Sequence, residues 1–266
     1  MRKLLLFALC LLCFTFAKAQ DEEEQPDYSP FDDGKFLPDK IQNPLANIVN
    51  LPISYQLSFG DDYANVLNLE PSIPILITKK WMMVTETIIP ILSMPTVSGY
   101  NSGLGNIRFI TSLTTVKQTG FSWGIGPAFM LPAVKESLGN NKFSIGPSLV
   151  ALKQTYGFTY GLAVQNYFSV VGSSTKADVN ILYAEIILSK TFSKDWYVYS
   201  NPQITADWNA DSDNQWTVPL GLGIGKLVNH RYLPLNLKAG FYRYIANPMD
   251  ADWLIQAQVS FLINTK

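Results

Sequence analysis

The sequence predicts an all-β chain: a transmembrane, antiparallel, up-and-down β-barrel of about twelve strands, behind a cleaved signal peptide and a short N-terminal periplasmic segment. Three observations predict it. From Leu51 to Ile263 apolar and polar residues alternate with a period of two, the period at which an extended strand sends side chains to opposite faces. The first residues have the make-up of a secretory signal. Charged residues make up only 15% of the chain, against about 25% in soluble proteins, yet no apolar run is long enough for a spanning helix. A barrel reconciles the last two facts, because half of every strand can face lipid.

Residues 1–19 form the signal. Arg2 and Lys3 are its charged start, Leu4 to Phe16 its apolar core, and Ala17-Lys18-Ala19 its cleavage site. Both cysteines, Cys10 and Cys13, lie inside it. A mature chain beginning at Gln20 therefore carries no disulfide, thiolate metal site or cysteine nucleophile. The roughly 247 residues that follow suit one large β domain.

Residues 20–50 read as a periplasmic lead. It opens on Asp21-Glu22-Glu23-Glu24 and is polar to Lys40. Asn43 then has the chemistry of an N-cap and Pro44 that of a first helical residue, predicting a short helix over 43–49. A small plug in the barrel mouth and a simple linker both fit this segment.

The barrel occupies residues 51–266. Its strands are expected at 51–59, 65–77, 82–92, 105–116, 121–131, 143–153, 158–170, 179–189, 196–207, 216–226, 234–245 and 253–263. In 196–207 the alternation is plain. Trp196, Val198, Pro202, Ile204 and Ala206 share one face; Tyr197, Tyr199, Asn201, Gln203, Thr205 and Asp207 share the other. The connections alternate as well. Short basic turns (78–81, 117–120, 154–157, 190–195, 227–233) alternate with generally longer connections rich in Asp, Asn, Ser and Gly (60–63, 93–103, 132–142, 172–178, 208–215, 246–252). The even strand number and this asymmetry place both termini and the basic turns in the periplasm. The acidic loops then lie outside, against outer-membrane lipid and lipopolysaccharide. Asp61-Asp62 and Asp211-Ser212-Asp213-Asn214 read as solvated loops, with loose Ca²⁺ or divalent-bridged lipopolysaccharide contact as the alternative. Trp81, Trp196, Trp208, Trp216 and Trp253 fall at strand ends, as an aromatic girdle requires.

Seven prolines count against the strands as drawn: Pro71, Pro74, Pro90, Pro127, Pro147, Pro202 and Pro219. Each removes a ladder donor, and a closed barrel has no edge on which to hide it. Gly126-Pro127 and Gly146-Pro147 are expected at bulges or kinks.

On strands with clear phase the polar face supplies lumen or binding candidates: Glu70, Arg108, Tyr199, Gln203, Asp207, Asn236, Lys238, Tyr242, Gln256 and Gln258. A polar pathway and a cross-bracing network both fit them. About eight strands leave a filled interior and about sixteen an aqueous channel, and twelve lies between. The inward glycines and alanine, Gly124, Gly126, Ala128, Gly221, Gly223 and Gly225, either leave a cavity or let another element pack closely.

Catalytic signals are poor. The one histidine, His230, sits in a basic turn between Asn229 and Arg231 with no serine nearby. No phosphate-binding loop, dinucleotide fingerprint or metal-spaced cluster occurs, so no catalytic residue, metal or cofactor is assigned. Net charge is −1 without a basic patch, which speaks against a nucleic-acid partner. Oligomeric state is not readable.

Several segments resemble a family of Gram-negative outer-membrane proteins labelled as transporters under the misnomer neuromedin U, and related barrels labelled "MetA-pathway of phenol degradation". They are 74–81 (Pro-Ile-Leu-Ile-Thr-Lys-Lys-Trp), 88–91 (Ile-Ile-Pro-Ile), 102–107 (Ser-Gly-Leu-Gly-Asn-Ile), 123–127 (Trp-Gly-Ile-Gly-Pro), 144–148 (Ser-Ile-Gly-Pro-Ser) and 216–221 (Trp-Thr-Val-Pro-Leu-Gly). The resemblance implies a barrel in which Gly-Pro strands are usual. It also implies a channel or transporter for small solutes, with hydrophobic or aromatic compounds among them. The expectation is thus an integral outer-membrane channel or transporter that passes or binds small solutes without catalysis. The alternatives are a non-conducting barrel for surface interaction or envelope architecture, a membrane-embedded lipid-modifying enzyme, and a soluble lipocalin-like barrel.

Overall fold

Alternating strands of this length cannot bury one face singly; they do so here by closing into a cylinder. The computed structural model describes residues 37–97, 99–118, 120–192, 195–228, 233–249 and 251–263. One short helix, α1 (Leu37–Lys40), precedes β1 (Val49–Gly60), β2 (Tyr63–Leu69), β3 (Ser72–Leu76), β4 (Trp81–Thr96), β5 (Gly99–Leu104), β6 (Arg108–Thr115) and β7 (Phe121–Met130). There follow β8 (Phe143–Thr155), β9 (Phe158–Val171), β10 (Asn180–Thr191), β11 (Trp196–Ser200), β12 (Gln203–Asp207), β13 (Trp216–Val228), β14 (Leu235–Ala246) and β15 (Ala251–Ile263). β3, β6 and β12 continue the lines of β2, β5 and β11 after short interruptions, so the strands make twelve staves. Successive staves pair antiparallel. The ring closes where β1 meets β15, from Val49 opposite Ile263 to Phe59 opposite Trp253. The twelve staves thus form a closed ring, which is the condition for strands to cross lipid.

The phase of the alternation decides what each face meets. In β6, Arg108, Ile110, Ser112 and Thr114 are buried, while Phe109 and Leu113 are exposed. The outward residues join into an apolar belt: Leu222 lies beside Phe241, Phe241 beside Ile255, and Ile255 beside Leu57. Leu222 is 67% exposed. A belt of such residues suits lipid and would be a liability in water. Tryptophans mark its borders. Trp81 meets Trp123 edge to face at 6.1 Å near the short turns, and Trp208 meets Trp216 at 5.5 Å near the long loops. Lys226 lies over Trp196 and Arg243 over Trp253, cations on indoles at the two rims.

All seven prolines sit where a ladder is already open on one side. Pro71 and Pro202 occupy the interruptions between β2 and β3 and between β11 and β12. Pro219 sits at a register shift against β14. Pro90 lies between the last β4–β6 pair, Ile88 with Arg108, and the first β4–β5 pair, Ile91 with Leu104. Pro74 lies beyond the single β1–β3 pair, Asn50 with Ser72. Pro127 and Pro147 stand directly opposite each other in the β7–β8 ladder. The pairing of β7 with β6 lapses between Ala128 and Ile125, and that of β8 with β9 between Ile145 and Ser148. The register is the same on both sides of each gap, so these are local openings rather than bulges. A Cβ on Gly126 would lie 2.2 Å from the Thr111 carbonyl oxygen, and one on Gly146 1.5 Å from that of Asn166. Only glycine lets the neighbouring backbone close in beside the missing donor.

Two expectations need correction. The helix lies at Leu37–Lys40, not after Asn43. Asn43 instead turns the chain: its side-chain oxygen accepts the Leu45 N–H at 2.8 Å, and its carbonyl accepts the Ala46 N–H at 3.1 Å. The connection expected over 93–103 is largely a hairpin, in which β4 runs on to Thr96 and β5 pairs with β4 alone. The expected signal over 1–19 lies outside the described residues.

Candidate functional site

The lumen is shaped by three things: a plug, a wall of tyrosines, and the cavity between them. The plug is the segment from α1 to Ile48. Leu45 is 1% exposed and packs inside the barrel with Val150, Leu152, Ala163 and Ile187. Ala46 and Ile48 pack with Leu227 and Leu262. Polar groups lock the segment to the staves. The Asn43 side-chain amide donates to Gln118 Oε1 at 2.8 Å, and Gln118 Nε2 donates to the Leu45 carbonyl at 2.8 Å. Gln154 Nε2 donates to the Asp39 carbonyl at 2.7 Å, and the Thr191 hydroxyl to Asp39 Oδ1 at 2.7 Å. All these partners lie at the short-turn end of the cylinder.

The tyrosine wall fills the side of the lumen formed by β11, β14 and β15. Tyr197, Tyr199, Tyr242 and Leu254 form one buried cluster, with Ile41 of the plug against it. The inward glycines of β13 make this possible. A Cβ on Gly223 would come within 2.4 Å of the Tyr199 ring, and one on Gly225 within 2.1 Å of the Tyr197 ring. Of the two roles open to these small residues, close packing is the one observed here.

The opposite side, built by β4, β6 and β8–β10 together with β12, stays open. It holds a cavity of about 60 Å³. Pro44 and Leu45 line it from the plug. Val84, Ile88, Ile110 and Val150 make its wall apolar, and Glu86, Arg108, Gln165, Tyr183, Glu185 and Gln203 make it polar.

Five charged side chains meet inside the barrel: Glu70, Glu86 and Glu185 with Arg108 and Lys238, each within electrostatic reach of others in the set. Two of the strand interruptions sit beside them. Glu70 stands at the break before Pro71, and Asn201, at the break before Pro202, donates to Glu185 Oε1 at 3.0 Å. Ser54 donates to Glu70 at 3.3 Å. Both cations lie on aromatic faces, Arg108 4.0 Å from the Tyr183 ring centre and Lys238 4.2 Å from that of Tyr199. Tyr183 in turn meets Tyr167 edge to face at 5.7 Å. Among the described residues no carboxylate of this group lies within 4.0 Å of a cation; the ion pairs are Lys142–Asp178 and Lys176–Glu136, both involving loops at the long-loop end.

The ten sequence candidates divide accordingly. Arg108 and Gln203 line the cavity, and Glu70 and Lys238 join them electrostatically. Tyr199 and Tyr242 belong to the tyrosine wall, and Asn236 accepts a hydrogen bond from Tyr197 at 2.6 Å. Gln256 faces inward, opposite Gln56 and Gly240. Gln258 donates to Ser260 at 2.7 Å. Asp207 sits at the end of β12, where its carboxylate accepts the Asn209 N–H at 3.0 Å, away from the cavity. Glu86, Gln165, Tyr183 and Glu185 escaped the sequence reading. A signal for the two carboxylates was available: a charge in the middle of a membrane-crossing strand must face inward whatever its neighbours are. His230 lies outside the described residues.

At the other end the loops are tied to one another. Asn106 donates to the carbonyls of Leu131 and Asn140, each at 2.8 Å, and accepts the Asn140 N–H at 2.7 Å. Lys142 meets Asp178 at 2.6 Å. With a second hydrogen bond from Ser169, that contact holds the Asp178 carboxyl below the usual carboxylate range.

No known protein family matches the chain. No curated protein matches it either. Among solved structures, an outer membrane channel from Pseudomonas putida F1 superposes with a TM-score of 0.61 at 12% identity, covering 82% of this chain and 96% of that one. The NanC porin superposes with a TM-score of 0.53 at 10% identity, covering 80% of this chain and 98% of that one. At such identities the likeness is one of fold, and the fold is that of an outer-membrane barrel.

Proposed function

We propose that the protein is an integral outer-membrane channel or transporter that passes or binds small solutes, with residues 37–48 closing its short-turn end. The observation that carries this reading is the charged, half-apolar cavity inside the barrel. A barrel kept only for its outer surface gains nothing from unpaired charges in its interior, which cost stability unless they are hydrated or used. The fold neighbours, described as a channel and a porin, support the reading. The resemblance to barrels labelled for phenol degradation supports hydrophobic or aromatic cargo, as does the apolar wall of Val84, Ile88 and Val150. In this reading both termini and the basic turns face the periplasm. The test is solute-induced swelling of proteoliposomes carrying the folded protein. Swelling in small solutes above that of empty liposomes is the expected result, and none from a demonstrably folded barrel overturns it.

One observation favours a second reading. The plug and the tyrosine wall together fill much of the lumen. A barrel that stays closed and serves surface interaction would share that plug and that wall, and the swelling experiment separates the two.

A further inference from the structure

Glu86 stands in the middle of β4, inside the barrel, and lines the cavity. Among the described residues it has no hydrogen-bond donor and no cation within ion-pair distance. Glu185 lines the same cavity from β10 and receives one donor, Asn201, whose own side-chain oxygen is buried without a partner. The remaining charges that face this group are Arg108, Glu70 and Lys238. Arg108 is spread over the Tyr183 ring, and Lys238 lies over Tyr199 with Glu70 in electrostatic reach. The cavity wall proper thus carries two carboxylates against one guanidinium. A carboxylate withdrawn from bulk water without a donor is costly, and a ligand that brings a charged donor repays that cost. The same cavity is lined by hydrocarbon from Leu45, Val84 and Val150.

From this arrangement we infer that the cavity is a binding site for small amphiphilic organic cations, with an ammonium group held by Glu86 and Glu185 and an apolar body on the Leu45–Val84–Val150 wall. The inference rests on the solute-channel reading and names its solute class. A neutral molecule of the same shape gains only the apolar contact. An anion meets the two carboxylates and finds the one guanidinium already stacked.

Three probes that share one ring separate these cases: benzylammonium, benzyl alcohol and benzoate, titrated calorimetrically into the folded full-length protein in detergent. Benzylammonium is expected to bind on the order of tenfold more tightly than benzyl alcohol, and benzoate not to bind. Glu86→Gln is expected to weaken benzylammonium by on the order of tenfold and to leave benzyl alcohol unchanged. Benzoate binding as tightly as benzylammonium overturns the inference, as does absence of benzylammonium binding. The wild-type probe series decides the matter even if the variant fails to fold. Proteoliposome swelling on the same preparation keeps the two readings apart. Swelling without benzylammonium binding removes the cation site and leaves the channel. Benzylammonium binding without swelling keeps the site and removes the channel.

Discussion

Leu45 is seated against Gly124: a Cβ built on residue 124 would lie 2.8 Å from Leu45 Cδ2. A plug residue and a stave residue are thus matched in size, one large and one with no side chain. The same segment is held by Asn43, Gln118 and Gln154 through side-chain amides. The segment is held at this end by shape and by hydrogen bonds together.

The plug is therefore expected to loosen on truncation. Leu45→Ala removes a fully buried side chain at a cost of about 2 kcal/mol or more, most of it borne by plug docking. That shifts the docked–undocked balance by roughly thirtyfold. Protease cleavage within residues 37–48 should rise accordingly while the barrel itself stays resistant. Gly124→Val should act in the same direction by occupying the Leu45 seat. Unchanged cleavage in both variants would contradict the docking described.

The tyrosine wall makes a separate prediction about stability. Gly225→Ala places a methyl group 2.1 Å from the Tyr197 ring, and Gly223→Ala one 2.4 Å from that of Tyr199. Each should destabilise the barrel by about 1–3 kcal/mol, read from urea unfolding in detergent. Tyr197→Ala in the Gly225→Ala background should recover part of the loss. If the glycine variants match wild type, the rings do not pack where they are placed.

The long-loop end should respond to pH. Lys142, and then Ser169, hold the Asp178 carboxyl below its ordinary range. A depressed value means that the contact contributes fully above the ordinary aspartate range, about pH 4, and is lost as pH falls through the depressed value. Asp178 is open to solvent, so the effect is local. Amide exchange in residues 172–179, compared with Asp178→Asn at each pH, should show wild-type protection at pH 7 and converge on the variant in strong acid. Equal exchange at pH 7 would show that the pair ties nothing.

The barrel was legible because its strands obey a period that lipid and lumen both enforce. The two faces of 196–207 are those read from the residues, down to Asn201 and Gln203 turning inward beside Glu185. The alternating connections were legible too, except at 93–103, where Pro95, Ser93 and Gly99 disguise a hairpin as a loop. The centre of the site was not legible. Met82, Val84 and Ile88 face inward beside Glu86 while Ile89 and Ile91 face outward, so β4 is apolar on both sides and its phase disappears. Glu185 is hidden likewise between Ile181 and Ile187 on β10. The glycines of β13 were seen to be inward, but their use depends on Tyr197 and Tyr199 of another stave, a contact that period and composition do not encode.

The central claim is a solute-passing lumen closed by residues 37–48, and single-channel recording in planar bilayers tests it most directly. Wild-type protein should show small or infrequent openings, and Leu45→Ala should open more often at the same voltage. Absence of any conductance from both, with the barrels shown to be folded and inserted, would contradict the claim.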